Sequence, residues 1–189
     1  MRETIYGLIA YFFYPLWLAG GAVDYLCHRR SAIERTSGLH ESLYHVAQFV
    51  TIAAIVICIA LFAGSLTMFA VLGGTVLLHT VLAYFDVRFT ERRRYISPLE
   101  QHAHAVMDIL PIVVVALVIV LEWRSDAFTW AVRMRSPMLD PAQLAIVIGT
   151  IVIGAGAPIL EELWRTARGT RRSNDDHIGD DHIGFATIK

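Results

Sequence analysis

The chain has 189 residues, 56% of them hydrophobic and 17% charged, with a mean hydropathy of +0.53. An ordinary soluble domain carries about 25% charged residues, so this sequence is too apolar for disorder and for an ordinary soluble enzyme. A net charge of −1 excludes broad electrostatic attraction to nucleic acid. Two cysteines, Cys27 and Cys58, both in apolar runs, cannot build a disulfide framework.

In chain order, the first uncharged run is Ile5 to Val23, 19 residues. Its n-region has only Arg2, offset by Glu3, and its apolar stretch exceeds a usual signal-peptide h-region, so a retained helix is expected. Ser42 to Phe85 carries no charge apart from His45 and His79 over 44 residues. About 20 residues suffice for one crossing. Gly64-Ser65 near the middle therefore predicts a tight hairpin of two spans. A fourth span runs from about His102 to Leu121 and a fifth from Ala142 to Leu160. Backbone polar groups in lipid must be satisfied within each segment, which predicts helices. The fold expected is all-α: an integral membrane bundle of five transmembrane helices over residues 1–165, with spans of about 5–27, 41–63, 66–87, 98–122 and 141–164.

Local signals support these limits. Ser97-Pro98-Leu99-Glu100 reads as an N-cap, a proline at the first helical position and a capping-box glutamate. Asp140-Pro141 repeats the pattern before the fifth span. Pro15, Pro111 and Pro158 lie inside spans and should kink them. The clusters Gly20-Gly21-Ala22, Gly73-Gly74 and Gly154-Ala155-Gly156-Ala157 suit close helix packing within the chain.

Arginine sets the orientation. With the N-terminus outside, inner loops and the C-terminal segment hold twelve Lys and Arg residues and the outer side four, which predicts N-out, C-in by the positive-inside rule. A bacterial-type inner membrane is the expected location. Residues 166–189 read as a disordered cytoplasmic tail carrying a tandem Asp-Asp-His-Ile-Gly repeat at 175–179 and 180–184.

On that topology the six histidines before the tail fall at one side of the bilayer, with many acids beside them. Asp24 and His28, Glu41 and His45, Glu100 and His104, and His104 and Asp108 are each four apart. Such pairs share a helix face. His79 and Asp86, seven apart, share another. A carboxylate and an imidazole on one face can bind one ion, or the acid can fix the ring's tautomer. Ionisable groups within a membrane are costly and default to function. Asp24, His28, Glu41, His45, His79, His104 and Asp108 are the expected ligands, with Asp86 and Glu100 as bridging or supporting groups. The competing reading is a set of ion pairs with loop arginines, and for Glu100 the capping box. His40 and His102 are the weakest histidines: one is placed in a loop and the other points away from His104.

Hard oxygen plus imidazole, without a cysteine pair, suits iron, manganese or zinc. The set exceeds the needs of one four-coordinate zinc, which predicts two divalent metal ions, iron first, with zinc and manganese as alternatives. In ligand class it resembles the integral-membrane diiron hydroxylases and desaturases, although their HxxxH and HxxHH boxes are absent here. The expected function is O2-dependent hydroxylation or desaturation of a lipophilic substrate. Membrane lipid or such a substrate, and an electron donor, are the expected partners. The alternatives are a divalent transition-metal transporter or metal-handling protein, a dizinc hydrolase and a b-type haem protein.

Overall fold

The computed structural model describes residues 2–136 and 140–183, with side chains described as far as residue 170. Among the described residues the chain is helical and forms no strand beyond a single antiparallel bridge between Phe62 and Met134. Five helices are long and apolar enough to cross a membrane: α1, Arg2–Ser31; α2, Gly38–Leu61; α3, Leu66–Thr90; α4, Pro98–Glu122; and α5, which begins at Pro141. They suggest a multi-pass membrane protein. Outward-facing Tyr11, Val50, Leu77, Val120 and Ile153 are more than half exposed, as suits helices whose outer faces meet lipid rather than water.

The local signals act as expected. Ser97 Oγ accepts from the Glu100 backbone N–H at 3.2 Å and the Glu100 carboxylate returns to the Ser97 N–H, closing the capping box that starts α4. Asp140 caps α5 through the Ala142 N–H at 2.8 Å. Two of the three internal prolines distort their helices. α1 contains a π turn over Ile9–Phe13 and α5 one over Val152–Gly156, each ending two residues before Pro15 or Pro158. A proline removes one donor from the i→i−4 ladder, and the looser turn re-pairs the neighbouring carbonyls. Pro111 leaves α4 a continuous α-helix.

The helices close into a ring in the order α1–α4–α3–α2–α5, with α5 returning to α1. Small residues permit the closest approaches: Gly154 faces Leu18, Gly156 faces Phe49 and Gly20 faces Met107. No neighbour lies near Gly73 or Gly74. Ile52, Ile55, Cys58, Met68, Leu72, Val115 and Val118 form an apolar core between α2, α3 and α4.

Two features differ from expectation. The ligands expected from the sequence all lie on the first four spans, but α5 packs along α2 and supplies Glu162 to the polar end as well. The last helix also continues past residue 165, through Ala157–Ile183, with Thr166 fully buried where a tail was expected to begin. Gly169 lies so close to the Glu34 backbone that a Cβ would stand 2.7 Å from its carbonyl oxygen. Side chains of the first repeat, and part of the second repeat with all that follows it, lie outside the described residues.

Candidate metal centre

One end of the bundle buries an unusual set of polar side chains. Asp24 and His28 come from α1, Glu41 and His45 from α2, His79 and Asp86 from α3, Glu100 and His104 from α4, and Glu162 from α5. Asp24, His28, Glu41, His79, Asp86, Glu100 and Glu162 are each less than 8% exposed. The structure thus brings together helix faces that are hundreds of bonds apart along the chain.

Glu162 organises the interior. Its Oε2 accepts from His28 Nδ1 at 2.8 Å and its Oε1 from His45 Nδ1 at 2.7 Å. Ser42 Oγ donates to Oε1 at 3.1 Å, and Thr166 supports Ser42 from one turn further along α5. An ionised carboxylate only accepts, so both imidazoles carry a proton on Nδ1 and turn Nε2 inward. The two rings stack 4.6 Å apart with 5° between their planes, which aims both Nε2 atoms the same way. His79 reaches the same tautomer differently. Thr51 uses its proton on the Gln48 carbonyl at 2.6 Å, so its oxygen accepts from His79 Nδ1 at 2.9 Å.

The inward atoms lack hydrogen-bond partners. Nε2 of His28, His45, His79 and His104, Oδ1 of Asp24 and Oδ1 of Asp86 are all buried without one. Buried polar atoms are rarely left so. Yet they crowd together: His104 Nε2 is 2.9 Å from Asp24 Oδ1, and His28 Nε2 is 3.4 Å from Asp24 Oδ1, 3.3 Å from Glu100 Oε1 and 3.6 Å from Glu41 Oε1. His45 Nε2 is 3.2 Å from Asp86 Oδ2. Two ligands each about 2.1 Å from one ion stand about 3.0–3.4 Å apart. These separations match those of ligands that share one ion. Asp24, His28, Glu100 and His104 each offer an atom within 4.8 Å of the others, and so do His28, Glu41 and His45. This buried His/Asp/Glu cluster can bind a metal ion.

Every side chain expected at the site from the sequence lies at this end, in differing situations. Glu41 and Glu100 are shared with Arg94, from the α3–α4 loop, whose guanidinium bonds to both. Burial opposes that charge, but the hydrogen bonds to Glu100 and Glu41 outweigh it and hold Arg94 protonated beyond its ordinary range. Ion pairing with a loop arginine is therefore realised at these two acids, and the capping box at Glu100, alongside their approach to His28. Asp86 also accepts from Gln48 at 3.0 Å. Asp108 is peripheral: its side chain is 33% exposed and its nearest imidazole, His79, is 3.9 Å away. His102 turns outward to the Pro98 carbonyl and His40 stacks on Phe89.

Glu162 is the residue the spacing rules did not single out. An acid pair, Glu161-Glu162, inside an apolar span was its only signal. The structure separates the two: Glu161 faces outward to Tyr25 and Arg29, both at 2.8 Å, while Glu162 points to the core.

The fold and the site define a class: an all-helical chain with five helices able to span a membrane and a buried histidine–carboxylate cluster at one end of the bundle. No family model matches the chain, and neither a curated protein nor a solved structure matches it.

Proposed function

We propose that the cluster holds two divalent metal ions, iron first, and that the protein is a membrane metalloenzyme oxidising a lipophilic substrate with O2. The observation that carries this reading is the convergence of the unpartnered Nε2 atoms of His28 and His104 on the unpartnered Oδ1 of Asp24, with the unpartnered Nε2 of His45 against Asp86. Asp24, His28, Glu100 and His104 hold one ion; His45 with Glu41 and Asp86 holds the second, and His79 and Asp108 stand at the margin.

Charge supports two ions. Five buried acids, Asp24, Glu41, Asp86, Glu100 and Glu162, face one buried cation, Arg94. The excess is four negative charges, which two divalent ions balance. Uncompensated charge of that size inside a bundle would cost several kcal/mol per group. Four imidazolium ions would balance it as well, but the stacked His28 and His45 would then oppose like charges with ring centres 4.6 Å apart.

Iron pairs in such ligand sets activate O2, one atom of which enters the substrate while the other leaves as water, given two electrons and two protons from an external donor. An electron-donor partner is therefore part of the proposal. So is the orientation, with the N-terminus outside and the cluster near the inner leaflet of a bacterial-type membrane. The alternatives fit less well. A transporter needs access from both sides, and the apolar core fills the bundle between the cluster and its opposite end. Haem held by two of these histidines would need room that Asp24, Glu41 and Glu100 occupy around His28 Nε2.

Elemental analysis of detergent-purified protein, with optical and Mössbauer spectra, tests the reading. About two irons per chain with a coupled spectrum is expected. Two zincs would move the function to hydrolysis, a Soret band to haem chemistry, and no bound metal would overturn the proposal.

A further inference from the structure

A narrow groove of about 80 Å³ runs from the metal cluster along the inner faces of α1, α2 and α5. One end is closed by Asp24, His28, His45, His79 and Glu162. The rest is mostly apolar, walled by Trp17, Leu18, Phe49, Ile52 and Met107, with Gln48 and Tyr25 the polar exceptions. The sequence makes this space in two ways. Gly21 and Gly154 on the lining carry no side chain, and the π turn Val152–Gly156 forms part of the wall on α5. π turns of this kind often mark functional sites.

Apart from the histidines and acids, one polar atom on the wall is left unpartnered. Trp17 Nε1 is buried and has no hydrogen-bond partner. A buried indole N–H normally finds an acceptor. Trp17, Gly21, Asp24 and His28 recur at helical spacing on one face of α1. Seven residues at 1.5 Å rise set Trp17 about 10 Å from Asp24, toward the middle of the span.

Resting on the metal-site reading above, we propose that this groove is the substrate channel. The substrate is an elongated, largely apolar molecule with one keto or hydroxyl oxygen, which accepts from Trp17 about 10 Å from the carbon presented to the metals. An ordinary phospholipid acyl chain does not fit: its ester oxygens lie at the membrane surface, whereas this donor lies toward the middle of the span. The substrate lies with its polar group in the hydrocarbon and its reacting end toward the cluster.

The test is photolabelling of the full chain in liposomes with a long-chain internal ketone bearing a diazirine, read by peptide mass spectrometry. Label is expected on groove residues of α1, α2 and α5. The unlabelled ketone should compete about fivefold better than the matched alkane, the factor expected of one neutral hydrogen bond. Trp17→Phe should abolish that preference while leaving alkane competition unchanged. Gly21→Leu, which has room for its Cβ but fills the groove beyond it, should remove the label with metal content intact. Label spread over Leu77, Leu78 and Val120, or a ketone preference that survives Trp17→Phe, would overturn the proposal. The two readings fail separately. Bound metal without ketone preference defeats the channel alone, and ketone preference in a protein that binds no metal defeats the metal centre alone.

Discussion

The two ends of the bundle bury acids in opposite ways. At the end away from the cluster, Glu122 closes α4 and is fully partnered. Its Oε1 accepts from Arg2 at 2.6 Å, Tyr6 at 2.5 Å and Arg135 at 3.3 Å. The segment after α4 is stitched to the α2–α3 turn by Ala63 N–H to the Arg133 carbonyl and Arg135 N–H to the Leu61 carbonyl, both at 2.8 Å. There a carboxylate ties the first helix to the last turn of the fourth and does nothing else. At the cluster end, acids outnumber cations and six inward atoms lack partners. Folding alone explains the first end. The second is arranged at a cost to the empty fold, and such groups persist when a ligand repays it. Partnering, rather than burial, separates a structural acid from a functional one.

Substitutions at the two ends should therefore read out differently. His104→Ala removes a nitrogen 2.9 Å from Asp24 Oδ1 and, under the two-ion proposal, should halve the metal stoichiometry. Glu162→Gln keeps the shape of the group but can no longer accept from His28, His45 and Ser42 with a full charge. Loss of such an orienting carboxylate costs about 10–100-fold in metal affinity, measurable by chelator competition. Unchanged affinity in that variant would remove Glu162 from its organising role.

At the other end the effects should be on stability, with metal content untouched. Glu122→Ala leaves Arg135 without its carboxylate. Arg2 is 42% exposed and can return to water, so a loss of about 2 kcal/mol is expected rather than the full cost of breaking a buried pair. A thermal shift in detergent measures it. Gly64→Ala should cost somewhat less, about 1–2 kcal/mol, because its Cβ would lie 2.8 Å from the Glu122 carbonyl oxygen and force the hairpin from α4. The smallest effect is a gain. Ala32 ends α1 at φ 49°, a left-handed conformation that costs a residue with a Cβ about 1 kcal/mol, so Ala32→Gly should raise the melting temperature slightly. Loss of metal from Glu122→Ala, or a purely thermal effect of His104→Ala, would break the contrast between the ends.

Much of the site was legible because its pattern is local. Asp24 with His28, and Glu100 with His104, meet on one face by helical spacing alone, and the level of each pair follows from counting residues along uncharged runs. Cap signals at Ser97 and Asp140 were legible for the same reason. The partnership of Glu162 with His28 spans 134 residues and that with His45 117, so no spacing rule could reveal it. The same holds for Arg94, one of three consecutive arginines with nothing local to distinguish it. Trp17 reads in sequence as one more apolar residue, and its unpaired N–H becomes visible only once α1, α2 and α5 are packed together.

By itself the sequence determined the five apolar lengths, their helical form and the side of the bundle on which histidines and acids gather, because hydropathy and helical periodicity act over a few turns. Tertiary structure decided which acid is neutralised by Arg94, which one orients the imidazoles, and which nitrogens are left facing one another. Those outcomes depend on the ring order of the helices and the close approach of α5, which small residues in α1 and α5 allow and the π turns adjust.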